Sequence, residues 1–341
     1  MTMFITPHQK RNLLLGILFL GALVATGAIS ANIGGFVKER NILAHGSQLR
    51  VSSTGFDYVR PLLACDTLKD FESISYSGLK EQFRTYTDSE LSKKNVTDVS
   101  VYFRDLSNGQ WTAINPDEYF HPASLLKVAN LISVMKEEDA GRNILKKTFT
   151  VDPKTVPAVE QSIPPTHTLQ DFETYTVNDL LRYLITYSDN RVNKALNTIA
   201  DLNMLATVYA DFGVETKDTD GSFMVTPRAY ALFFRALYNG TYLSKQLSER
   251  SLELLGDTDY NNGLVAGVPQ GTLIAHKFGN DVRKDADGAV IQELHDCGVI
   301  YRKDGDYVLC VMTKGTDVQK MESVISTISS IAYNFSLNPK Q

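Results

Sequence analysis

Ser124 and Lys127 stand three residues apart at the start of an apolar stretch that reads as a helix. Positions three apart lie on one face of a helix, so the lysine amine can reach the serine hydroxyl. A serine hydroxyl is a weak nucleophile that needs a base, and lysine serves as that base when it is neutral. Burial and a second cation nearby would lower the lysine pKa enough for the amine to be neutral. The pair therefore predicts a serine nucleophile with a lysine base.

The predicted nucleophile also falls at the N-terminus of its helix, directly after Pro122 and one further residue. Backbone N–H groups and the helix dipole at that end favour an oxyanion that develops beside the serine. A serine and a lysine at this spacing occur by chance in many helices, where they are structural. Other motifs must therefore support the chemistry.

Two further motifs carry side chains that suit the same reaction. Ser188-Asp189-Asn190 ends a predicted helix, and its hydroxyl could pass a proton to a leaving nitrogen while its asparagine binds a substrate amide. Lys277-Phe278-Gly279 lies on a predicted strand, where the lysine could bind a carboxylate and the glycine could let a substrate lie against the strand. Each motif alone is common; the first is an ordinary turn at a helix end.

The three motifs occur in the order that serine β-lactamases and penicillin-binding proteins share. The sequence resembles that superfamily, and class A β-lactamases in particular, from about residue 79 to the C-terminus. The resemblance rests on PASLLK (122–127), TYSDN (186–190), VTPRAYA (225–231) and HKFG (276–279). It implies a β-lactamase/transpeptidase-like fold and an acyl-enzyme mechanism that uses no metal and no organic cofactor.

The resemblance also implies the catalytic roles. Ser124 would be acylated with Lys127 as its base, and Ser188 would shuttle the proton. The backbone N–H groups of Ser124 and Asn280 would form the oxyanion hole. The expected substrate is a small-molecule β-lactam or a peptidoglycan stem peptide.

The implied substrate-binding residues include one departure from the family pattern. Asn190 would orient the substrate amide, and Lys277 would face the substrate carboxylate, with Gly279 beside it on the strand. Family members usually carry Thr or Ser between this lysine and glycine, whereas this chain has Phe278. The phenylalanine removes a hydroxyl that helps to bind the carboxylate and should reshape the pocket.

A second departure concerns deacylation. Class A β-lactamases carry an ExxLN loop that activates water, and no such motif lies between residues 190 and 226. The stretch 210–228 looks like a shortened version of that region, and we expect its acids Glu215, Asp218 and Asp220 to be solvated loop residues. Without a base for water the acyl-enzyme should persist, which suits a penicillin-binding protein better than an efficient β-lactamase.

The order of predicted elements is two strands, several helices, three strands and a final helix. The predicted strands are 99–106, 110–115, 272–279, 293–302 and 306–315. The predicted helices are 79–92, 123–140, 177–187, about 191–201, 227–239, 248–255 and 317–335. This order predicts an α+β fold in which about five antiparallel strands from both chain ends form one sheet flanked by helices, with an all-α insertion.

The cysteines and two histidines receive structural interpretations. Cys65, Cys297 and Cys310 do not have metal-binding spacing. The latter two fall on opposite arms of the last hairpin, so a cross-strand disulfide and a pair of buried thiols are both compatible with the sequence. His276 and His295 lie on neighbouring predicted strands, and we expect each to be structural.

An uncharged apolar segment at residues 13–37 is long enough to cross the roughly 30 Å hydrocarbon core of a membrane. Lys10 and Arg11 precede it and favour a single-pass anchor with its N-terminus inside. The alternative is a signal peptide cleaved near residues 28–31, which would release a secreted protein. Either interpretation places the rest of the chain outside the cytoplasm.

These patterns divide the 341 residues into three parts. Residues 1–37 form the cytoplasmic N-terminus with the anchor or signal, 38–78 a stalk that docks near residues 61–63, and 79–341 the catalytic domain. The apolar share of 43% is enough for a normal core. The net charge of −5 disfavours nucleic acid as a partner, because phosphate binding needs a basic face.

Three functions remain open. The first is a class A β-lactamase-like hydrolase with an unconventional water activator. The second is a D,D-peptidase or transpeptidase of cell-wall metabolism that β-lactams inhibit, and the missing ExxLN favours it. The third is a catalytically inactive surface binding module; Phe278 leaves it open, but the intact motif residues argue against it.

Overall fold

The computed structural model describes residues 55–61, 72–216, 222–284, 288 and 290–335. The predicted membrane segment at 13–37 lies outside these residues, as do Cys65, Asp218 and Asp220. No helix within the described ranges is long and apolar enough to cross a membrane.

A five-stranded antiparallel sheet joins strands from both ends of the described chain. Its strands are β1 (Asp98–Asp105), β2 (Trp111–Ile114), β7 (Ile274–Lys284), β8 (Val290–Ile300) and β9 (Tyr307–Gly315). Their order is β2-β1-β9-β8-β7, and β1 pairs with β9 with Val101 opposite Val311. The prediction of one sheet built from both ends of the chain is confirmed.

Eight α-helices in the described part of the chain surround this sheet. They are α1 (Ser77–Ser92), α2 (Lys127–Asp139), α3 (Val177–Ile185), α4 (Arg191–Leu196), α5 (Leu202–Asp211), α6 (Pro227–Asn239), α7 (Lys245–Gly256) and α8 (Val318–Asn334). Short 3-10 turns occur at Ile74–Tyr76, Ala123–Leu126, Ile144–Lys146 and Leu264–Gly267.

Side-chain caps fix where two of the helices begin. The Thr176 hydroxyl accepts a hydrogen bond from the backbone N–H of Asp179, whose carboxylate in turn accepts from the N–H of Thr176. The Thr226 hydroxyl accepts from the N–H of Ala229, with Pro227 at the first helical position. Such caps satisfy N–H groups that have no partner inside the helix.

The insertion between the outer strands is not all-α, so that part of the prediction is wrong. Strand β3 (Thr148–Thr150) pairs with β4 (Thr174–Thr176), and β5 (Glu215–Thr216) pairs with β6 (Phe223–Met224). Strands β3 and β4 consist of threonine and an aromatic residue, and β6 consists of an aromatic and an apolar residue. Such residues suit an extended backbone. They are too short to show the alternation that identifies a strand in a sequence.

A second difference lies between residues 191 and 211. The helix expected over 191–201 ends at Leu196, and α5 follows as a helix that the sequence analysis did not predict. Asp201 caps α5 by accepting a hydrogen bond from the N–H of Asn203. This cap interrupts what otherwise reads as one helical stretch.

The sheet has a core on each face. Along β1, Val101 and Phe103 pack on the side of α1 and α8, whereas Tyr102 packs on the side of α2 and α6. This alternation follows from the two-residue period of a strand. Helix α2 is buried over most of its surface, as expected for a central helix. It therefore offers a rigid base for the residues that precede it.

Two observations bear on regions where the sequence left questions open. Cys297 and Cys310 lie directly opposite each other on β8 and β9 and form a disulfide.

Glu249 accepts hydrogen bonds from the backbone N–H groups of residues 57–59, and the N–H of Arg60 donates to Tyr238 O. Residues 57–60 therefore pack on α6 and α7, while the limits of the stalk stay a prediction.

Candidate active site

Ser124 lies on the 3-10 turn Ala123–Leu126, which leads into α2. The sequence had predicted instead that Ser124 lies on the α-helix itself. Ala123 has a left-handed backbone with φ of +49°, which is costly for a residue with a Cβ. The N–H of Leu125 donates to Pro122 O over 2.9 Å, and the Tyr230 hydroxyl donates to Leu125 O over 2.9 Å. These bonds hold the strained turn that presents Ser124.

Gly279 on β7 lies against this turn. A Cβ at this position would lie 2.7 Å from Pro122 O and 3.1 Å from the nitrogen of Leu125. Both atoms belong to the backbone and could not move aside without shifting the turn. The sequence suggested that the glycine lets a substrate approach; the structure gives it the further role of letting β7 approach the serine turn.

Lys127 is 2% exposed, and its Nζ lies within hydrogen-bond distance of three oxygen atoms. Nζ lies 2.6 Å from Ser188 O, 3.0 Å from Ser188 Oγ and 2.6 Å from Asn190 Oδ1. Within the described residues it makes no hydrogen bond to Ser124 Oγ, which the helical spacing had predicted. Burial and the positive charge of Lys277 lower the pKa of Lys127 well below the usual lysine value, which the charge of Asp189 partly opposes.

Ser188 joins the first and third motifs. Its backbone is left-handed, with φ of +57°, and Lys277 Nζ donates to its Oγ over 2.9 Å. Lys277 is fully buried, and burial lowers its pKa to about 7 against the opposing charges of Asp296 and Asp259. A hydrogen-bonded series therefore runs from Lys127 through Ser188 to Lys277.

The turn that carries Ser188 is fixed by its neighbours. Asp189 accepts hydrogen bonds from the N–H of Leu169 over 2.9 Å and from the N–H of Arg191 over 2.9 Å. The Arg191 guanidinium donates to Leu169 O and to Val156 O. Asp189 thus holds the turn through backbone N–H groups, and a buried arginine ties the turn to the loop before β4.

Gln161, from the same loop, also contacts this turn and was not predicted. Its Nε2 donates to Ser188 O over 3.1 Å, and its Oε1 accepts from the N–H of Asn190 over 2.8 Å. The next residue, Ser162, hydrogen-bonds Asn280 Oδ1 on β7. The segment therefore bridges the two walls of the cleft. No motif marks it, because these contacts depend on how a long loop folds back.

Phe278 lines the cleft and stacks on one aromatic neighbour. Its ring stacks on Tyr260 with centroids 4.1 Å apart, and Lys277 Nζ lies 4.1 Å from its centroid. An aromatic face stabilises a nearby cation. The phenylalanine that departs from the family pattern therefore makes a cation–π contact with Lys277.

Two cavities meet at Ser124. The first, about 300 Å³, lies between the Ser188 turn and β7, and its walls include Gln161, Asn190 and Phe278. The second, about 390 Å³, lies towards α5 and is lined by Lys127, the asparagines 130, 193 and 197, and Tyr209, among others. Ser124 and Asn190 line both. The structure thus gathers the predicted nucleophile, base and proton shuttle around one cleft, together with Asn190, Phe278 and Asn280. Lys277 is fully buried and, like Gly279, is not among the residues that line it.

His276 and His295 are both buried and each lies beside a carboxylate. His276 Nδ1 is 2.8 Å from Asp296 Oδ1, and His295 Nε2 is 3.3 Å from Glu293 Oε2. Neither lines the cleft at Ser124. Among the described residues, no group of three or more His, Cys, Asp and Glu side chains is placed to hold a metal ion.

Known proteins provide an independent comparison. A sequence model described as the Beta-lactamase enzyme family matches residues 79–336. The search of curated proteins found no match. Among solved structures, PBP-A is similar at 24% identity with a TM-score of 0.61, covering 75% of this chain and 95% of that one.

Two β-lactamases are similar to the same extent. One is from Sphaerobacter thermophilus, at 22% identity and a TM-score of 0.62, covering 76% of this chain and 96% of that one. The other is an ancestral class A β-lactamase called GNCA, at 21% identity and a TM-score of 0.62, covering 74% and 98%. At such identities these neighbours establish the fold, whereas the family match covers most of the chain. The protein therefore belongs to the β-lactamase enzyme family of serine hydrolases, with the class A β-lactamase-like α+β fold.

Proposed function

We propose that Ser124 is acylated by β-lactams or related D-Ala-D-Ala-type amides, and that the acyl-enzyme is released slowly. The observation that carries the proposal is the hydrogen-bonded series of Lys127, Ser188 and Lys277 beside Ser124. It supplies a base and a proton carrier at the cleft, and a buried cation bonded to the proton carrier. Such a set suits a carboxylate-bearing amide better than a neutral ester.

Acylation would proceed as follows. Ser124 Oγ attacks the amide carbonyl and loses its proton to the neutral amine of Lys127. The backbone N–H groups of Ser124 and Asn280 would stabilise the oxyanion. When the C–N bond breaks, the leaving nitrogen takes a proton from the Ser188 hydroxyl, which regains one from Lys127 across 3.0 Å. Lys127 is then neutral again, and the acyl group remains on Ser124.

The same cleft offers contacts for substrate. Lys277 is buried and forms no ion pair with a described carboxylate, so a substrate carboxylate can supply its counter-charge. The Asn190 side chain gives its oxygen to Lys127 and leaves its Nδ2 without a hydrogen bond among the described residues. That nitrogen can donate to the carbonyl of a substrate amide.

Slow release follows from the surroundings of Lys127. Its three hydrogen bonds go to a carbonyl, a hydroxyl and an amide, and none goes to a carboxylate. The described carboxylates that line the two cavities are Glu160 and Asp281, and Asp281 is paired with Arg283 at 2.8 Å. This arrangement favours a penicillin-binding D,D-peptidase or transpeptidase over an efficient β-lactamase. A variant of PBP-A, one of the fold neighbours, has been solved as an acyl-enzyme with penicillin G.

We also propose that residues 13–37 anchor the protein in the cell membrane with the catalytic domain outside. The Cys297–Cys310 disulfide supports this location, because disulfides persist outside the reducing cytoplasm. Protease added to spheroplasts, which have lost their outer envelope, should then digest the catalytic domain. Full protection until the spheroplasts are lysed would contradict the location.

The decisive experiment is intact-mass analysis of the protein incubated with penicillin G, beside the Ser124→Ala variant. We expect a mass increase equal to the whole antibiotic that persists for many minutes and is missing in the variant. Rapid conversion to penicilloate without a lasting adduct would instead indicate a β-lactamase. An adduct that survives in Ser124→Ala would overturn the assignment of the nucleophile.

A further inference from the structure

Glu293 and His295 on β8 hold the backbone three residues before Ser124. The N–H of His121 donates to Glu293 Oε2 over 2.9 Å, and His295 Nε2 lies 3.0 Å from His121 O. Both side chains are 0% exposed. Because they hold the N–H and the carbonyl of the same residue, they fix its position and its orientation together.

The direction of the histidine bond follows from its other nitrogen. The N–H of Thr313 donates to His295 Nδ1 over 3.3 Å, so Nδ1 is an acceptor in the neutral ring. Nε2 then carries the proton, and it lies near both His121 O and the Glu293 carboxylate. The ring of Phe120 packs edge-on against His295 with centroids 5.4 Å apart and limits its rotation.

Glu293 also contacts β7, the strand that forms one wall of the cleft. Its Oε1 accepts from the Arg283 guanidinium, and its backbone carbonyl accepts from Asn280 Nδ2 over 3.1 Å. Asn280 is the residue whose N–H would complete the oxyanion hole. One buried residue is thus bonded to the serine turn through His121 and to β7 through two side chains.

The connection from His121 to Ser124 is short and stiff. Pro122 has a restricted φ, and Ala123 is held in the left-handed region. The Pro122 carbonyl is engaged by the N–H of Leu125. A displacement of His121 would therefore be passed to Ser124, because the two intervening residues have little freedom to absorb it.

We propose that Glu293 and His295 are positioning residues for acylation: they keep Ser124 in register with the oxyanion-hole donors without touching the substrate. The proposal rests on the proposed function, since it takes Ser124 as the nucleophile. A mainly structural pair would stabilise the fold and leave the acylation step unchanged. The two roles therefore predict different results: in a positioning role the substitutions change the acylation rate constant, and in a structural role they change only the stability of the fold.

The test uses the full-length protein and penicillin G in stopped-flow acylation. It separates the dissociation constant of the first complex from the acylation rate constant. His295→Leu removes the donor to His121 O, whereas His295→Gln can place an amide N–H near the same oxygen. A displacement of about 1 Å can cost roughly 100-fold in rate. We expect His295→Leu to lower the acylation rate constant about 10- to 100-fold, His295→Gln to recover most of it, and the dissociation constant to stay nearly unchanged.

Glu249→Gln is the matched control, because Glu249 is also a mostly buried carboxylate that accepts backbone N–H groups, at residues 57–59. It should lower the melting temperature and leave acylation unchanged, whereas Glu293→Gln should slow acylation. Equal acylation in wild type, His295→Leu and Glu293→Gln would overturn the proposal. So would a loss of acylation in Glu249→Gln equal to that in Glu293→Gln.

Hydrogen exchange keeps the proposal testable if penicillin G does not acylate the wild type, an outcome that would count against the proposed function alone. The backbone of residues 121–127 should exchange faster in His295→Leu than in wild type, while α8 exchanges at the same rate. Unchanged exchange over residues 121–127 would overturn the positioning role irrespective of any substrate.

Discussion

Lys127 and Lys277 approach the Ser188 hydroxyl from two sides, with Nζ atoms 3.0 and 2.9 Å from Oγ. Burial lowers the pKa of both lysines, and two buried ammonium groups at this spacing disfavour each other. The charges of Asp296 and Asp259 raise the pKa of Lys277, while the charge of Lys277 lowers that of Lys127. These charges favour the neutral amine at Lys127 and the cation at Lys277.

This distribution predicts a bell-shaped pH dependence of acylation. The rate should rise with pH as Lys127 loses its proton and becomes a base. The second-order rate constant should fall as pH passes through the Lys277 pKa of about 7, because the cation that binds the carboxylate is lost. A bound carboxylate stabilises charged Lys277, so the falling limb should move to higher pH at saturating substrate. Stopped-flow acylation at low and saturating β-lactam measures both limbs.

A neutral ester of the same β-lactam is the control for this profile. It has no carboxylate to pair with Lys277, so its rate should rise with pH and lack the falling limb. A falling limb of equal size with the ester would show that the assignment of that limb to Lys277 is wrong.

Gly279→Ala should disable the site by a steric route. The new Cβ would lie 2.7 Å from Pro122 O, so β7 and the serine turn must separate. We expect about 100-fold slower acylation, in line with the rate cost of a 1 Å misplacement. Gly78→Ala is the control: its Cβ would lie 3.8 Å from the nearest atom, and acylation should not change. Normal acylation by Gly279→Ala would contradict the close approach.

Phe278→Thr should make the fold less stable and bind the substrate more tightly. The Phe278 ring is 6% exposed and stacks on Tyr260. Because losing a buried phenylalanine costs about 3–5 kcal/mol, the free energy of unfolding measured in urea should fall by about 3 kcal/mol. The threonine hydroxyl beside Lys277 should bind the substrate carboxylate and lower the dissociation constant. Phe278→Leu loses the ring without gaining a hydroxyl. If both variants bind β-lactams equally well, the added hydroxyl makes no contact with substrate.

The Cys297–Cys310 disulfide should contribute measurably to stability. It closes a short loop with a sequence separation of 13, for which the chain-entropy relation gives about 3 kcal/mol. Alkylation in denaturant should label neither cysteine until a reductant is added, and reduction should lower the melting temperature. Complete labelling of both positions without reductant would mean that they are free thiols in the isolated protein.

Much of the architecture was predictable because it depends on local patterns. The cap at Thr176, the Thr226-Pro227 helix start and the alternating strands each leave a signal within a few residues. Ser124 and Lys277 could be named as candidate site residues because each sits in a short motif at a recognisable place in the order of elements.

Other features have no local signal. Ala123 takes a left-handed backbone that its residue type does not favour, because the surrounding contacts impose it. Gln161 and Glu293 act through backbone groups of residues far along the chain. A side chain that bonds a distant main chain has no required partner type, so no pair of residues in the sequence identifies it. The short paired strands were missed for a different reason: they contain too few residues to show the alternation of a strand.

The pairing of β1 with β9 has a consequence for the order of events during folding. Val101 meets Val311, so the sheet cannot close until almost the entire domain has been synthesised. Contacts so distant along the chain form late and slowly. Lys277 lies on a strand of the same late-closing sheet, and it completes the site only after Ser124 and Ser188 have already been made. A nascent or truncated chain would therefore not be acylated, and acylation would show that the domain has finished folding.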